Sequence, residues 1–282
     1  MNPWLCVALT GFTAGAHSSI WGMYKDAPHE GFSLRVYLRS MVFGTAVALL
    51  VAKVTGLFPV DAASVVVLFG VVYVVERAVA EAYKTFFRQQ DQSKYTIPMQ
   101  FAVFGKPVES RGLRMLLGVG YVGIMVLTLW LILLLQRSIG GRPPLWVIFL
   151  VGGAAGWISA FGGAWKDAPI EGFQIFKFFR SPVMAGTYAV LVSLLTDDLV
   201  LITMAAEGFV IMTTETYKTF FFPSKPRGKF AGKPVVFPEW LRLRQRFVPA
   251  YVLIWLVVIG AYVVAVSRHQ KVDVRLWETM SA

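Results

Sequence analysis

Apolar residues are gathered along the chain into runs of about 20, each long enough to cross the hydrocarbon of a bilayer as a helix, with short polar segments between them. The runs lie at 4–24, 41–58, 62–83 and 113–136, and again at 145–165, 182–196, 199–217 and 247–267. They predict an all-α integral membrane protein of about eight transmembrane helices. The second and third runs of each set are joined by a tight polar turn, Pro59-Val60-Asp61 in one and Thr196-Asp197-Asp198 in the other.

The two sets repeat one another. Gly11 and Gly15, Lys25-Asp26-Ala27-Pro28, Glu30-Gly31-Phe32 and Arg39-Ser40 recur as Gly152 and Gly156, Lys166-Asp167-Ala168-Pro169, Glu171-Gly172-Phe173 and Arg180-Ser181. Glu81 and Tyr83-Lys84-Thr85-Phe86-Phe87 return as Glu215 and Tyr217-Lys218-Thr219-Phe220-Phe221, and Gly105-Lys106-Pro107-Val108 as Gly232-Lys233-Pro234-Val235. Three matches in one order predict a four-helix repeat over 1–140 and a second over 141–282. An even number of spans per repeat makes the repeats parallel, related by a pseudo-two-fold axis along the membrane normal. Ala14-Gly15-Ala16 resembles a signal-peptide cleavage site, but no cation precedes the first run and the run recurs, so it is read as part of the mature fold.

Composition sharpens this reading. With 56% hydrophobic and only 15% charged residues, and a mean hydropathy of +0.61, the chain falls well short of the roughly 25% charge of soluble domains. A soluble enzyme is excluded. Lys and Arg outnumber Asp and Glu by 27 to 16, and their distribution argues for membrane topology rather than nucleic acid. Segments 25–40, 84–114, 166–180 and 218–246 hold 20 of the 27 cations. Alternate threading puts all four on one face, expected to be cytoplasmic by the positive-inside bias, in an inner membrane with both termini outside. Arg268, Lys271 and Arg275 fall on the other side. Anionic headgroups are the expected partners of the basic face, and its loops offer a surface to a protein partner. The single Cys6 provides no disulfide and no thiolate metal site.

The candidate chemistry is charged and duplicated. Proline disfavours helix at the preceding residue, so Lys-Asp-Ala-Pro-x-Glu-Gly-Phe predicts a turn presenting Asp26 and Glu30, or Asp167 and Glu171, followed by an interfacial basic and aromatic stretch ending at Arg39 or Arg180. Glu81 and Lys84, like Glu215 and Lys218, are spaced to pair on one helix face. If Asp26, Glu30 and Glu81 converge they offer carboxylates to Mg²⁺, with Lys84 and Arg39 left for a phosphate. The plainer alternative is that boundary charges satisfy one another and anchor helix ends. Lys106 and Lys233 are candidates for lipid phosphate, or simply dock their loops.

Deeper along the helices, Glu76 and Glu207 are acids that, if unpaired, are protonated or line water as the start of an ion or proton path; the plainer alternative for Glu76 is that Arg77 and Glu81 neutralise one another while Glu76 points to a cavity. Glu207 has no cation near it in its own run, which makes it a candidate transport residue. His17 is replaced by Ile158 in the other repeat and is read as packed, and the Gly-x-x-x-Gly pairs are read as close contacts between repeats or helices. Gly118-x-Gly120-x-x-Gly123 follows no strand and is no dinucleotide fingerprint.

The expected function is transport or permeation of a small ion or an anionic, lipid-like solute, with no cofactor required. A membrane enzyme acting on a phosphorylated lipid is the alternative, and only there does Mg²⁺ enter. The Asp26-x-x-x-Glu30 spacing resembles the diphosphate-binding motifs of intramembrane prenyltransferases, although those are richer in aspartate, lie on helices and follow the second helix. A structural or assembly subunit is the third reading. No Walker A, His-Glu-x-x-His, Gly-x-Ser-x-Gly or Cys-x-x-Cys sequence occurs.

Overall fold

The computed structural model describes residues 2–104, 106–223 and 228–279, without the side chains of 165–167, 169–171 and 279. The long helices are α1 (Pro3–Glu30), α2 (Leu34–Thr55), α3 (Ala62–Ala82, continued by a π-turn over Tyr83–Phe87), α4 (Arg111–Ile139), α5 (Leu145–Glu171), α6 (Ile175–Val192) and α7 (Leu199–Phe220). The short α8 (Trp240–Leu243) leads through a 3₁₀ turn into α9 (Val248–Ser267), and α10 (Leu276–Thr279) follows. Among the described residues the only strands are β1 (Ala102–Val103) and β2 (Lys106–Pro107), a small hairpin in the loop before α4. Seven helices, α2 to α7 and the continuous α8–α9 segment, are long and apolar enough to cross a membrane. The chain is therefore an α-helical, multi-pass membrane protein. α1 is as long but carries Thr10, Thr13, His17, Ser18 and Ser19, and is not one of the seven.

The proline motif is helix, not turn. α1 continues through Pro28 to Glu30 and α5 to Glu171, and each ends at a glycine with positive φ, Gly31 at 75° and Gly172 at 74°. Pro28 has no N–H for the Tyr24 carbonyl one turn back, and the Arg244 guanidinium supplies the missing donor at 2.8 Å. The basic and aromatic stretch after the motif is likewise helical. Ser33 caps α2 by accepting from the Val36 N–H, so Leu34 to Arg39 open that helix, and α6 begins at Ile175.

Small residues set the packing. Gly11 and Gly15 lie directly on Gly44 and Ser40 of α2, and Gly152 and Gly156 lie on Ala185, Ala189 and Pro182 of α6. The Gly-x-x-x-Gly contacts thus join the first two helices of each half rather than one half to the other. The halves meet where α3 crosses α7: Gly208 sits against the Gly70 backbone, and Gly70 against Ala205. Around this crossing Leu68, Phe69, Tyr73, Leu201, Ile202 and Met212 are fully buried.

One end of the bundle brings the tip of α1 together with the loops after α3 and α7. At the other end Asp61 caps α3, and Asp198 caps α7 while also accepting the Leu276 N–H at 2.7 Å.

A charged rim above a lateral groove

The acids of the first motif are held by lysines from both loops. Asp26 accepts from Lys229 at 2.9 Å; Glu30 accepts from Lys229 at 3.4 Å, meets Lys94 at 2.8 Å and takes the Tyr95 hydroxyl at 3.1 Å. Burial alone would push the Glu30 carboxyl up, but the two ammonium groups and the Tyr95 hydrogen bond outweigh it and hold it below the usual carboxylate range. Lys94 and Lys229 are both held above the usual lysine value, because the acids outweigh the burial that would lower them. The loops also grip one another: Thr96 N–H donates to the Lys229 carbonyl at 2.8 Å, and Lys233 Nζ to the Ser93 carbonyl at 2.9 Å. Lys233 therefore docks a loop, whereas Lys106 is exposed on β2. Val236 and Phe237 N–H groups close the cap on the Pro28 carbonyl.

The repeated acid–lysine pairs both form, and one crosses between halves. Glu81 meets Lys84 at 3.0 Å. Glu215 lies between Lys25 of α1 at 3.4 Å and Lys218 at 3.9 Å. Asp26, Glu30 and Glu81 do not converge; among the described residues no three acids, histidines or cysteines gather to hold a metal. Asp167 and Glu171 are on α5, but their side chains are outside the described residues. No described acid pairs with Arg39 or Arg180, and Arg180 Nε has no hydrogen-bond partner.

Glu76 does not turn to a cavity. It is closed by its neighbour Arg77, whose Nη2 donates at 2.6 Å, and by Ser18 at 3.3 Å. Glu207 is different: Ser159 of α5 donates to Oε1, and Oε2 is buried without a partner.

From the rim a cavity of about 1980 Å³ runs down between the helices, lined by Arg39, Lys84, Arg180 and Lys218 at its charged end and by Glu207 and Ser159 in its depth. Its apolar walls come mainly from α4, through residues such as Tyr121, Ile124 and Leu129, and from α5, through Ala155, Ile158 and Gly162. α4 packs on the π-turn and on α7 but not closely on α5. Only Arg114, Gly118, Ile132 and Gln136 of α4 are buried, so the groove is bounded by a helix that otherwise faces outward.

The corresponding space in the first half is filled. Trp21 of α1 is buried with Ile20 and Tyr251 of α9, and its indole N–H donates to the Tyr73 hydroxyl at 2.9 Å. Tyr251 stacks on His17 at 4.2 Å, and Trp255 meets the same imidazole edge-on at 5.8 Å. Nδ1 of His17 lies 2.9 Å from the Tyr73 hydroxyl, so this histidine is packed. In the matched sequence Gly162 stands where Trp21 does, and a Cβ there would meet nothing within 4 Å. Arg114-x₆-Tyr121-Val122 also matches Arg244-x₆-Tyr251-Val252, which sets Met125 opposite Trp255. Two tryptophans close one side; a glycine and a methionine leave the other open. Comparison of the chain with family models, with curated proteins and with solved structures finds no match.

Proposed function

We propose that the protein moves an anionic, lipid-like solute through the bilayer along the groove between α4 and α5. One observation carries the reading: a single cavity of about 1980 Å³ joins Arg39 and Arg180, which no described acid neutralises, to apolar walls from α4 and α5. Guanidinium groups are suited to phosphate or carboxylate, and the groove wall lets an acyl chain remain in apolar surroundings while the headgroup is held at the rim. The charged end is the cytoplasmic one in this reading, with 20 of 27 cations in its segments, both termini opposite, and Lys106 at headgroup level. α1 completes eight spans arranged as two parallel repeats, 1–140 and 141–282, one of which has lost its groove to Trp21 and Trp255. Glu81, Lys84, Glu215 and Lys218 line the entrance. The Mg²⁺-dependent lipid enzyme has less support, because Asp26 and Glu30 are already engaged by lysines.

The test is translocation in vesicles containing the purified protein, following fluorescent phosphatidylglycerol by its protection from an external reductant. Protein-containing vesicles should equilibrate the probe between leaflets faster than empty ones, and Arg39→Ala with Arg180→Ala should slow it by about tenfold. A wild-type rate equal to that of empty vesicles would overturn the reading.

A further inference from the structure

Glu207 is an acid with one carboxylate oxygen unpartnered, placed inside α7, a helix long and apolar enough to cross a membrane. It lies about 12 Å from the start of α7 and about 20 Å from its end, at 1.5 Å per residue. Ser159 engages Oε1, Oε2 is buried without a partner, and both residues line the groove.

Among the described residues, the elements packed on α7 bring no charge to neutralise it; Lys25 of α1 is taken by Glu215. On α3 the nearest ions, Glu76 and Arg77, are closed on each other, and Tyr73 is held by Trp21 and His17, the histidine being the contribution of α1. On α6 the phenol of Tyr188 is bonded to Thr213, and the cations Lys177 and Arg180 are at the rim. On α5 the charged positions begin at Lys166, seven residues or about 10 Å beyond Ser159. α4 presents Tyr121 and, nearer the rim, Arg114, which is bonded to the Val108 carbonyl.

A carboxylate and one hydroxyl are too few ligands for a hard metal cation, which gathers about six oxygens. A proton needs only one. We propose that Glu207 is a proton-binding site in the groove, taking up and releasing a proton as the anionic solute passes. This rests on the transport reading for its purpose but not for its existence. An anion entering the apolar groove brings an uncompensated charge, and a proton on Glu207 offsets it without a second ion path.

The experiment uses the full-length protein in vesicles and dicyclohexylcarbodiimide, an apolar reagent to which a protonated carboxyl adds, its proton passing to a carbodiimide nitrogen. Modification is located by peptide mass spectrometry across pH 5 to 9 (roughly the range spanned by shifted carboxyls in apolar sites). The expected result is labelling at Glu207 that falls as pH rises, is absent in Glu207→Gln, and is slowed when dodecyl phosphate occupies the groove. No labelling, or labelling equal at every pH, would overturn the proposal, since the carboxyl would then exchange no proton with either bulk phase. In the same vesicles trapped pyranine reports proton movement during phosphatidylglycerol translocation. Translocation that moves no protons also overturns the proposal while leaving transport intact. Titrating labelling without any translocation keeps the proton site and removes the transport reading.

Discussion

The Arg244 guanidinium donates to the Tyr24 carbonyl at 2.8 Å, the acceptor that Pro28 leaves without its helical N–H. Arg244 also reaches the Pro223 carbonyl at 3.2 Å and lies over the Tyr24 ring at 4.2 Å, so one side chain ties the tip of α1 to both ends of the last loop. Arg244→Ala should destabilise the fold by about 1–3 kcal/mol through the stranded carbonyl. Pro28→Ala restores the helical donor, so the double variant should lose less than the sum of the single ones. Thermal unfolding of the four proteins in one detergent measures the coupling; strict additivity would mean that Arg244 does not replace the missing donor.

The cap over α1 is sensitive to pH at both extremes. Glu30 is held below its ordinary value, so its contribution is complete above about pH 4.3 and is lost as pH falls through the lower folded value. Lys94 and Lys229 are held above theirs, so their contribution is complete below about pH 10.4 and is lost as pH rises through the higher folded values. Proteolytic cleavage of the 88–100 and 228–239 loops should be slow between these limits and accelerate outside them. Glu30→Gln should remove the acid limb and weaken the alkaline one, because the Glu30 carboxylate is part of what holds Lys94 and Lys229 up.

The glycine contacts divide sharply by position. A methyl group at Gly15 would collide with the Ser40 backbone, and one at Gly208 with the Gly70 carbonyl; neither neighbour is a flexible side-chain end. Gly15→Ala and Gly208→Ala should each cost about 1–3 kcal/mol by overpacking. Gly22→Ala meets nothing within 4 Å and should be neutral or stabilising by about 0.5–1 kcal/mol through its helix preference. Equal losses at all three would mean that close helix approach does not govern this bundle.

The helices were legible because a bilayer imposes a length on an apolar run, and the Glu81–Lys84 and Glu215–Lys218 pairs because three residues along a helix return to nearly the same face. The helical character of the proline motif was not, since its compensating donor lies 220 positions from Tyr24. Nor was the Glu76–Arg77 pair: adjacent helix positions do not face each other, and the pair closes only because the long guanidinium folds back in a buried site. The open groove was written in the replacement of Trp21 by Gly162, but that difference has meaning only once α9 is seen over α1 and α4 standing off α5.

The most direct test of the groove as the path is Gly162→Trp, which places in the second half the side chain that fills the first. A Cβ at Gly162 meets nothing within 4 Å, so the variant should fold, with an unfolding free energy within about 0.5 kcal/mol of wild type. Phosphatidylglycerol translocation in vesicles should nevertheless fall by about tenfold or more, with every rim cation in place. A folded Gly162→Trp protein that moves the probe at the wild-type rate would contradict the account.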